Sequence, residues 1–598
     1  MSTAPVVRDE PAVPEASPDH AEAASEPVPE SAPRELTLRA ILVGCAIGTL
    51  LAAGNVYTSI KTGYIDGGSI SAAILGFTFF SVFRRRGSAP YSIAENNITQ
   101  TTAASAAVMS FVLGAGGPLS ALTLMNRSYP AWLLVFWTMG LGVLGILVAV
   151  SLRNKLIVVE DLPFPTGTAT AEVIETIHAA RASAIHRARL LGVAGVASMY
   201  VAWFRDGPSG LIPQMWAPAI TVGGMAAASL SIGVSWSPLL ASTGVLMGLR
   251  GAASMLLGAL LTWLVIAPRL LHAGLVTSPD YSAFVAWMVW PAVGMLLPSA
   301  FLPLILDWRS AWRSVRDLSS LVRARVPGVE RARPLIPLQK TLVGVCLVTL
   351  VLVVHATFGM HPLMTLAALA ISVITGGICA RAAGETDFAP VGQLGTAMQL
   401  GFGARSATNA IVAGGMSMGT SSQISQMLWA FKAGKRLHAS PRAQVIAQII
   451  GALLGALVVV PVYFVVIRAY PLGSEAMPAT SALTWKATAE AVHGGLASMP
   501  KSGPPAAAIG IALGAILTLL GRTRLARFLP SPTAMGIAAL VPASQTATIF
   551  LGAMAIALYR QRWPKTPEDS LTSAAAGGIA GESLMGVTIA VLIAFGII

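Results

Sequence analysis

The sequence predicts an all-α protein that crosses a membrane many times. Of its 598 residues, 55% are hydrophobic and only 11% are charged. Apolar runs of roughly 18–25 residues recur along the chain, and a helix of about 20 apolar residues spans the hydrocarbon core of a bilayer. Most basic residues lie in short segments between these runs, as in the cytoplasmic loops of membrane proteins. These three observations favour a polytopic membrane fold.

The apolar segments alternate with polar breaks along the whole chain. Those of the first part lie near residues 38–58, 67–83, 95–113, 131–152, 190–204, 213–232, 243–267 and 283–306. Those of the second part lie near residues 338–359, 361–380, 388–404, 408–430, 443–467, 504–520, 531–559 and 573–597. Pro542 divides the segment 531–559 into a re-entrant piece and a span, and residues 114–126 form a turn or another re-entrant piece. The total is about 14–16 membrane segments, including re-entrant or broken helices.

Composition also predicts the domain organisation. Residues 1–33 are rich in Pro, Ala, Glu and Ser, and we expect a disordered cytoplasmic tail there, not a signal peptide. The basic segment 307–337 is expected to be a cytoplasmic linker. It separates a first transmembrane half, residues 34–306, from a second half, residues 338–598.

The basic segments agree on one topology. If the N-terminus is cytoplasmic, residues 84–86, 153–155, 181–189 and 307–337 all lie on the inside. The loop 469–500 then lies on the outside. We therefore expect a cytoplasmic N-terminus.

Composition excludes several classes of function. The net charge of +13 invites a nucleic-acid interpretation, but its placement between apolar runs argues against one. The cysteines, Cys45, Cys346 and Cys379, lie in apolar runs without CxxC spacing, so we expect no disulfide framework, metal site or other cofactor. The sequence has no P-loop and no Asp-rich or His/Glu cluster that an intramembrane enzyme would need. The expected protein is therefore not an enzyme.

Two motifs recur at similar spacing. Lys61-Thr-Gly-Tyr resembles Glu385-Thr-Asp-Phe, and Leu162-Pro-Phe-Pro-Thr resembles Leu529-Pro-Ser-Pro-Thr. Offsets of about 325 and 367 residues require an insertion of roughly one span in the second half. Because the topology places Lys61 outside and Glu385 inside, we expect a two-fold internal repeat of inverted orientation. Chance recurrence of Pro/Gly breaks is the alternative.

Residues 54–107 are unusually polar for so apolar a chain. A charged side chain near the bilayer centre costs about 2.5–3.5 kcal/mol, so such groups are expected to line a hydrated cavity or to meet partners. Neighbouring small residues allow close helix approach and breaks in the backbone. We interpret this stretch as the floor of a transport site. Its polar side chains are Asn55, Tyr57, Lys61, Asp66, Glu95, Asn96, Asn97 and Gln100.

Two explanations of Glu95 stay open. A carboxylate beside the carboxamides of Asn96 and Asn97 offers donors and acceptors for cations, ammonium groups or amide substrates. Placed in a low-dielectric cavity, it could also carry a proton. The alternative is an N-cap cluster at the cytoplasmic end of a helix.

The segment Pro163-Phe164-Pro165-Thr166 predicts a re-entrant motif. Its prolines forbid a continuous helix before Thr166, and small residues and an apparently buried Glu172 follow. A half-helix whose N-terminus points into a cavity would bind anions. A cytoplasmic loop that turns into an interfacial helix is the alternative.

Further polar groups lie in the second half. Glu385 and Asp387 directly follow a span, and Glu582 lies inside the last one. A carboxylate within the membrane indicates function by default, although a satisfied interhelical hydrogen bond would also explain Glu582. Gln423 belongs to a second polar stripe.

These motifs together resemble those of the oligopeptide transporter family, which includes the yellow-stripe metal-chelate transporters. They are Asn55-x-Tyr57, Lys61-Thr-Gly63, Glu95-Asn-Asn97, Leu162-Pro-Phe-Pro165 with Ala171-Glu172, Gly384-Glu-Thr-Asp387 and Gly581-Glu582. The resemblance extends over residues 36–598, and the short loops are similar to those of bacterial members. It implies a proton-coupled symporter that imports short peptides or metal chelates. By the same analogy, the substrate cavity would involve Asn55, Tyr57, Lys61, Glu95, Asn96 and Glu172.

We therefore predict a secondary active transporter of the inner, or cytoplasmic, membrane that imports short oligopeptides with protons. The alternatives are an importer of iron–siderophore-like metal chelates and an uncoupled channel or exporter. The predicted substrate contacts are Asn55, Tyr57, Lys61, Glu95, Asn96, Asn97, Gln100 and Gln423. The predicted proton-coupling carboxylates are Glu95, Glu172, Glu385, Asp387 and Glu582. The oligomeric state, a homodimer included, stays open.

Overall fold

The computed structural model of the chain describes residues 35–83, 90–179, 181–306, 308–309, 312–313 and 336–598. The predicted tail, the arginines at 84–86 and most of the linker lie outside these residues. Within them the regular secondary structure is helical apart from four two-residue strands. The predicted all-α class is confirmed.

The helices of the first half vary widely in length. They are α1 (Leu38–Thr62), α2 (Ser69–Val82), α3 (Ile93–Leu113), α4 (Pro118–Leu124), α5 (Ala131–Arg153), α6 (Pro165–Ala179), α7 (Arg181–Asp206), α8 (Pro238–Leu260), α9 (Ala267–His272) and α10 (Tyr281–Leu306). Helices α5 and α8 continue into π-helical turns at Asn154–Val159 and Leu261–Ile266. A 3₁₀ turn lies at Ala227–Leu230.

The second half is again a series of long and short helices. They are α11 (Ile336–Phe358), α12 (Pro362–Thr386), α13 (Val391–Phe402), α14 (Ala407–Arg436), α15 (Pro441–Ala469), α16 (Thr480–Gly494), α17 (Gly503–Leu520), α18 (Pro532–Ala538), α19 (Ala543–Arg562) and α20 (Glu568–Ala594). Two 3₁₀ turns lie at Gly495–Ser498 and Arg524–Phe528.

Ten helices in the described part of the chain, counted with their continuations, are long and apolar enough to cross a membrane. Helices α7, α14 and α19 have at least 20 residues but lie outside this set. Shorter helices such as α2, with 14 residues, and α13, with 12, account for other predicted segments. The protein is therefore a multi-pass membrane protein in which long spans alternate with short helices.

The predicted span at 213–232 is wrong. This region forms β1 (Met215–Trp216), β2 (Thr221–Val222) and β3 (Met225–Ala226), and β4 (Val234–Ser235) follows it. Strand β1 pairs with β4 and β2 pairs with β3, both antiparallel. Gly223 and Gly224 both have positive φ, which suits the tight turn between β2 and β3.

The segment 469–500, predicted to be a loop, contains the helix α16. The break at Pro542 is confirmed, because α18 ends at Ala538 and Pro542 directly precedes α19. Residues 114–126 contain the short helix α4, which agrees with the predicted turn or re-entrant piece.

The order of elements supports duplication. Helix α1 has 25 residues and is capped by Gly63 with φ of 75°, and α12 has 25 residues and is capped by Asp387 with φ of 65°. Each is followed by a short helix and then by a long buried one. Both Leu-Pro-x-Pro-Thr motifs start a helix at their second proline, Pro165 and Pro532. The inverted orientation stays a prediction.

Small residues bring the central helices close together. Helix α3 is almost wholly buried and packs against α1, α14 and α15. A Cβ atom at Gly451 of α15 would lie 2.1 Å from the carbonyl oxygen of Thr102, and one at Gly455 would lie 2.7 Å from that of Ala106. Such backbone contacts favour association of helices in lipid.

We predict that Gly451→Ala lowers the free energy of unfolding by about 1–3 kcal/mol, because the added methyl group must push α15 away from α3. The measurement is thermal unfolding of purified protein in detergent. Gly344→Ala on α11 is the matched control, since nothing lies within 4 Å of its added Cβ. An equal loss in both variants would contradict the packing argument.

Candidate functional site

Glu582, in the middle of α20, is the centre of a buried ion cluster. Its side chain is completely buried, and Oε1 lies 2.9 Å from Nζ of Lys61 and 3.0 Å from Nη2 of Arg205. The hydroxyl group of Ser237 and the backbone N–H of Leu239 also donate to the carboxylate, at 2.8 and 2.9 Å. Helices α1, α7 and α8 therefore converge on one side chain of α20.

The local sequence explains why a carboxylate fits here. Ser237 is the N-cap of α8 and Pro238 follows it, so the N–H of Leu239 has no acceptor within its own helix. The Glu582 carboxylate accepts that N–H and lies at the positive end of the helix dipole. Ion pairs and a helix N-terminus together stabilise the buried charge.

The cluster is balanced in charge. Arg205 donates from Nε to Asp206, at 2.8 Å, and from Nη1 to the carbonyl of Trp236, also at 2.8 Å. Lys61 donates to the Tyr57 hydroxyl, at 3.1 Å. Two cations thus face the carboxylates of Glu582 and Asp206. A cavity of about 50 Å³ adjoins this cluster, and Tyr470, Glu475 and Gln545 are among its other lining residues.

The structure brings together Tyr57, Lys61 and Glu582, which were predicted separately. The sequence analysis did not identify Arg205 and Asp206 as candidate functional residues. They directly follow the predicted span 190–204. An Arg-Asp pair at the end of an apolar run was the available signal. Ser237 gave none.

Glu95 lies in a different cluster, at the start of α3. It forms a capping box with Ser92: the Ser92 hydroxyl accepts the N–H of Glu95, and the Ser92 N–H donates to the Glu95 carboxylate. Arg39 donates to both carboxylate oxygens at 2.6 Å, and Thr37 donates at 2.7 Å. This is the N-cap arrangement considered as the alternative. A transport role for Glu95 stays a prediction.

Asn55 fixes the loop between α1 and α2. Its Nδ2 donates to the carbonyls of Asp66 and Ala107, at 2.8 and 3.0 Å, and its Oδ1 accepts the N–H of Asp66. Asn96 lies 3.3 Å, Nδ2 to Nε2, from His178 of α6. Both predicted substrate contacts already have protein partners.

Three predicted carboxamides lie completely buried between helices. Gln100 donates to Asn97 at 3.1 Å, and Gln423 of α14 donates to Ser105 at 2.9 Å. Ser105 in turn donates to the backbone carbonyl of Gln448. Within the described chain, one polar atom each of Asn97, Gln100 and Gln423 has no hydrogen-bond partner.

The predicted anion site at the re-entrant motif is closed by the protein itself. The N–H and hydroxyl of Thr166 donate to the carboxylate of Asp387, at 2.9 and 2.6 Å. The N–H of Phe164 donates to the carbonyl of Gly384 at 2.9 Å. The Pro-Phe-Pro-Thr motif of one half is therefore joined to the Gly-Glu-Thr-Asp motif of the other. A carboxylate at a helix N-terminus fits the general preference for anions there.

Ion pairs surround this junction. Arg381 lies 2.8 Å from the carboxylate of Glu160 and 3.3 Å from that of Glu385. Asp161, in the connector before α6, accepts from Lys435 and Lys432 at 2.8 and 2.9 Å. Hydrogen bonds from these two lysines lower the pKa of Asp161 to about 2. The Asp161 carboxylate therefore stays charged at neutral pH.

Glu172 is not buried, contrary to the prediction. Its side chain is 57% exposed and pairs with Arg436, whose Nη1 lies 2.8 Å away. The small residues around it do pack, since Gly167 lies against the backbone of α14, but the Glu172 side chain is exposed and its partner Arg436 lies at the end of the same helix α14.

Two neighbouring cavities share Ser299, Ala300 and Gln393. One of about 260 Å³ lies between the end of α1 and helices α10, α13, α16 and α18. The other, of about 810 Å³, extends past the end of α10 and is lined by Glu385 of α12. Among the described residues, no group of three or more His, Cys, Asp or Glu side chains could hold a metal ion.

Among multi-pass membrane proteins, buried charges, broken helices and cavities between helices are typical of transporters. Comparison with known proteins agrees. The family model of the OPT oligopeptide transporter protein matches residues 35–593. The chain therefore belongs to the oligopeptide transporter family, a family of transporters and not of enzymes.

Relatives within this family differ in the substrate that their names carry. A candidate oligopeptide transporter of Saccharomyces cerevisiae is 23% identical, over 93% of this chain and 95% of its own. Another, from Haemophilus influenzae, is 32% identical over 36% of this chain and 32% of its own. A metal-nicotianamine transporter of Arabidopsis thaliana is 22% identical, over 92% of both chains. The names of these relatives therefore cover two kinds of small molecule, oligopeptides and a metal chelate.

We predict that Glu582→Gln lowers the free energy of unfolding by about 3–5 kcal/mol, because Arg205 would keep Asp206 as a partner but buried Lys61 would lose its ion pair. Thermal unfolding in detergent is the measurement. Glu172→Gln removes an exposed pair and should change stability by at most about 1 kcal/mol. Equal effects of the two variants would contradict the assigned burial.

Proposed function

We propose that this chain is a proton-coupled symporter that imports short oligopeptides across the cytoplasmic membrane. The observation that supports it best is the pair of adjoining cavities: the larger, of about 810 Å³, is of the size of known ligand sites, and the smaller, of about 260 Å³, adds to it. A short peptide needs room, hydrogen-bonding groups for its amides and counter-charges for its termini.

The smaller cavity suits the amide groups of a peptide. The described residues of its wall include no charged side chain. Their hydroxyl and amide groups can both donate and accept, and the Trp485 ring adds apolar surface. The polar side chains are Thr62, Ser299, Gln393, Thr396, Thr480, Ser481, Thr484, Thr488 and Thr533.

The larger cavity suits the charged ends. Arg309 and Arg313 offer positive charge to a terminal carboxylate, and Glu385 offers negative charge to a terminal ammonium group. A zwitterionic peptide matches such a wall better than a neutral solute does. The cavity therefore supports the peptide assignment.

Among the five predicted carboxylates, Glu385 is the best candidate for the proton. It lines the larger cavity, and its side chain is 30% exposed, so a proton can reach it. Glu582 is buried between two cations, and protonation would leave both short of negative charge. Asp387 caps α6, and Glu95 and Glu172 pair with arginines and are not among the described residues that line either cavity, whereas Glu385, which also pairs with Arg381, lines the larger one.

Import of a metal chelate is the second candidate. The Arabidopsis relative that aligns over nearly the whole chain is named for metal-nicotianamine transport. A chelate brings its own metal ligands, so it would need only a neutral polar wall such as that of the smaller cavity. A channel or exporter without ion coupling would use the same cavities but would ignore a pH gradient.

We include a cytoplasmic N-terminus and an inverted repeat in the same proposal. A cytoplasmic N-terminus places the larger cavity, with Arg309 and Arg313, at the inner face, and gives the two halves opposite orientations. In this topology the larger cavity faces the cytoplasm.

The test is uptake into liposomes of purified protein under an imposed inward proton gradient. We expect accumulation of a tri- and tetrapeptide pool that stops when an ionophore collapses the gradient. Accumulation of an iron–siderophore complex alone would contradict peptide import and favour import of a metal chelate. Transport that follows the solute gradient but ignores pH would contradict coupling.

We further predict that Glu385→Gln lowers gradient-driven accumulation about tenfold or more but retains peptide exchange between loaded and external pools. Exchange needs the cavity but no net proton movement, so it separates lost coupling from lost folding. Glu172→Gln is the matched control and should accumulate normally. Normal accumulation by Glu385→Gln would exclude its assigned role.

A further inference from the structure

A fourth cavity, remote from those above, lies where α7 begins, α19 ends and α20 begins. Its volume is about 620 Å³. We term it the basic corner; the lining residues that matter here are His186, Leu190, Arg562, Trp563, Lys565 and Leu571. No step of the proposed transport cycle uses it.

The basic corner has uncompensated positive charge. Two acidic residues in the first turn of α20 are already paired: Glu568 with Arg560 at 2.9 Å, and Asp569 with Arg187 at 2.7 Å. Arg562 and Lys565 have no ion-pair partner in the described part of the chain, and both line the cavity. An anion is therefore the complementary ligand.

The corner also has the layered chemistry of a membrane interface. Leu190 and Leu571 supply an apolar wall. The rings of Tyr559 and Trp563 lie 4.7 Å apart, and Arg562 stacks over the Trp563 ring at 5.6 Å. Tyr and Trp are enriched where lipid headgroups meet the hydrocarbon. A free inorganic anion would use the cations but not the apolar wall.

The backbone presents these groups rigidly. The connector between α19 and α20 contains Pro564 and Pro567, and the N–H of Thr566 donates to the carbonyl of Trp563 within this turn. Proline fixes φ and lowers the entropy that ligand binding would remove. Lys565 is therefore held at the rim of the cavity.

We propose that the basic corner binds the headgroup of an anionic phospholipid of the surrounding leaflet, with its acyl chains along Leu190 and Leu571. Arg562 and Lys565 contact the phosphate. Basic pockets between transmembrane helices are suited to such headgroups. The site would tie the start of α7 to the start of α20, the two helices that contribute Arg205 and Glu582 to the buried ion cluster.

The test is a titration of detergent-purified full-length protein with phosphatidylglycerol or phosphatidylcholine, with bound lipid counted by native mass spectrometry. We expect phosphatidylglycerol to bind the wild type at least about tenfold more tightly. Arg562→Gln with Lys565→Gln should weaken phosphatidylglycerol roughly ten- to thirtyfold and leave phosphatidylcholine unchanged. Equal affinity of the two lipids for the wild type would overturn the proposal.

Arg524→Gln with Arg527→Gln is the matched control. It also removes two basic side chains, one of them stacked on an aromatic ring, Phe528. If this control lost as much lipid affinity as the corner variant, binding would not depend on a defined site, and the proposal would be overturned. The charge-preserving variant Arg562→Lys with Lys565→Arg should retain the preference, which excludes a folding defect as the cause.

Inorganic phosphate distinguishes the two sources of the anion. We expect millimolar phosphate not to displace phosphatidylglycerol, because the acyl chains contribute to binding. Displacement, together with loss of phosphate binding in the corner variant, would identify a site for a soluble phosphate and overturn the lipid assignment.

Discussion

A carboxylate buried in the membrane constrains the whole arrangement of helices around it. Glu582 can lie at full burial only if cations and donors reach it, because an unpaired ion in a low-dielectric interior is very costly. Lys61 and Arg205 come from helices separated from α20 by hundreds of residues in sequence. The relative positions of α1, α7, α8 and α20 therefore follow from one charge-pairing requirement.

The second constraint is steric. Helix α7 approaches α20 through glycines: a Cβ atom at Gly577 or Gly581 would lie 2.2 or 2.1 Å from a backbone carbonyl of α7. Gly451 and Gly455 allow the same close backbone contact between α15 and α3. Close backbone contact brings Arg205 within reach of Glu582, so small residues and buried charges act together. A similar pairing occurs where a helix is broken: the carboxylate of Asp387 accepts the N–H of Thr166 at the N-terminus of α6.

The sequence predicted the fold class and most long helices, because apolar length and placement of basic residues are local properties. It failed at 213–232, where apolar composition resembled a span although Pro213, Pro218 and the Gly223-Gly224 pair prevent a helix. It also identified Lys61, Asp387 and Glu582 as unusual polar residues. Their partners were not predictable, since pairing of Asp387 with Thr166 or of Glu582 with Arg205 depends on packing between distant segments. The exposure of Glu172 was misjudged because neighbouring small residues indicate a packed helix but not which face a side chain occupies.

The central claim is that Glu582 and Lys61 are bound as a charge-compensated pair whose joint removal leaves Arg205 balanced by Asp206. A double-mutant cycle with Lys61→Met and Glu582→Gln, measured by unfolding in detergent, tests it most directly. The account predicts that each single variant is strongly destabilised and that the double variant recovers about 2–3 kcal/mol relative to the sum of the single effects. Additive costs, within about 0.5 kcal/mol, would show that the two side chains do not depend on each other and would contradict it.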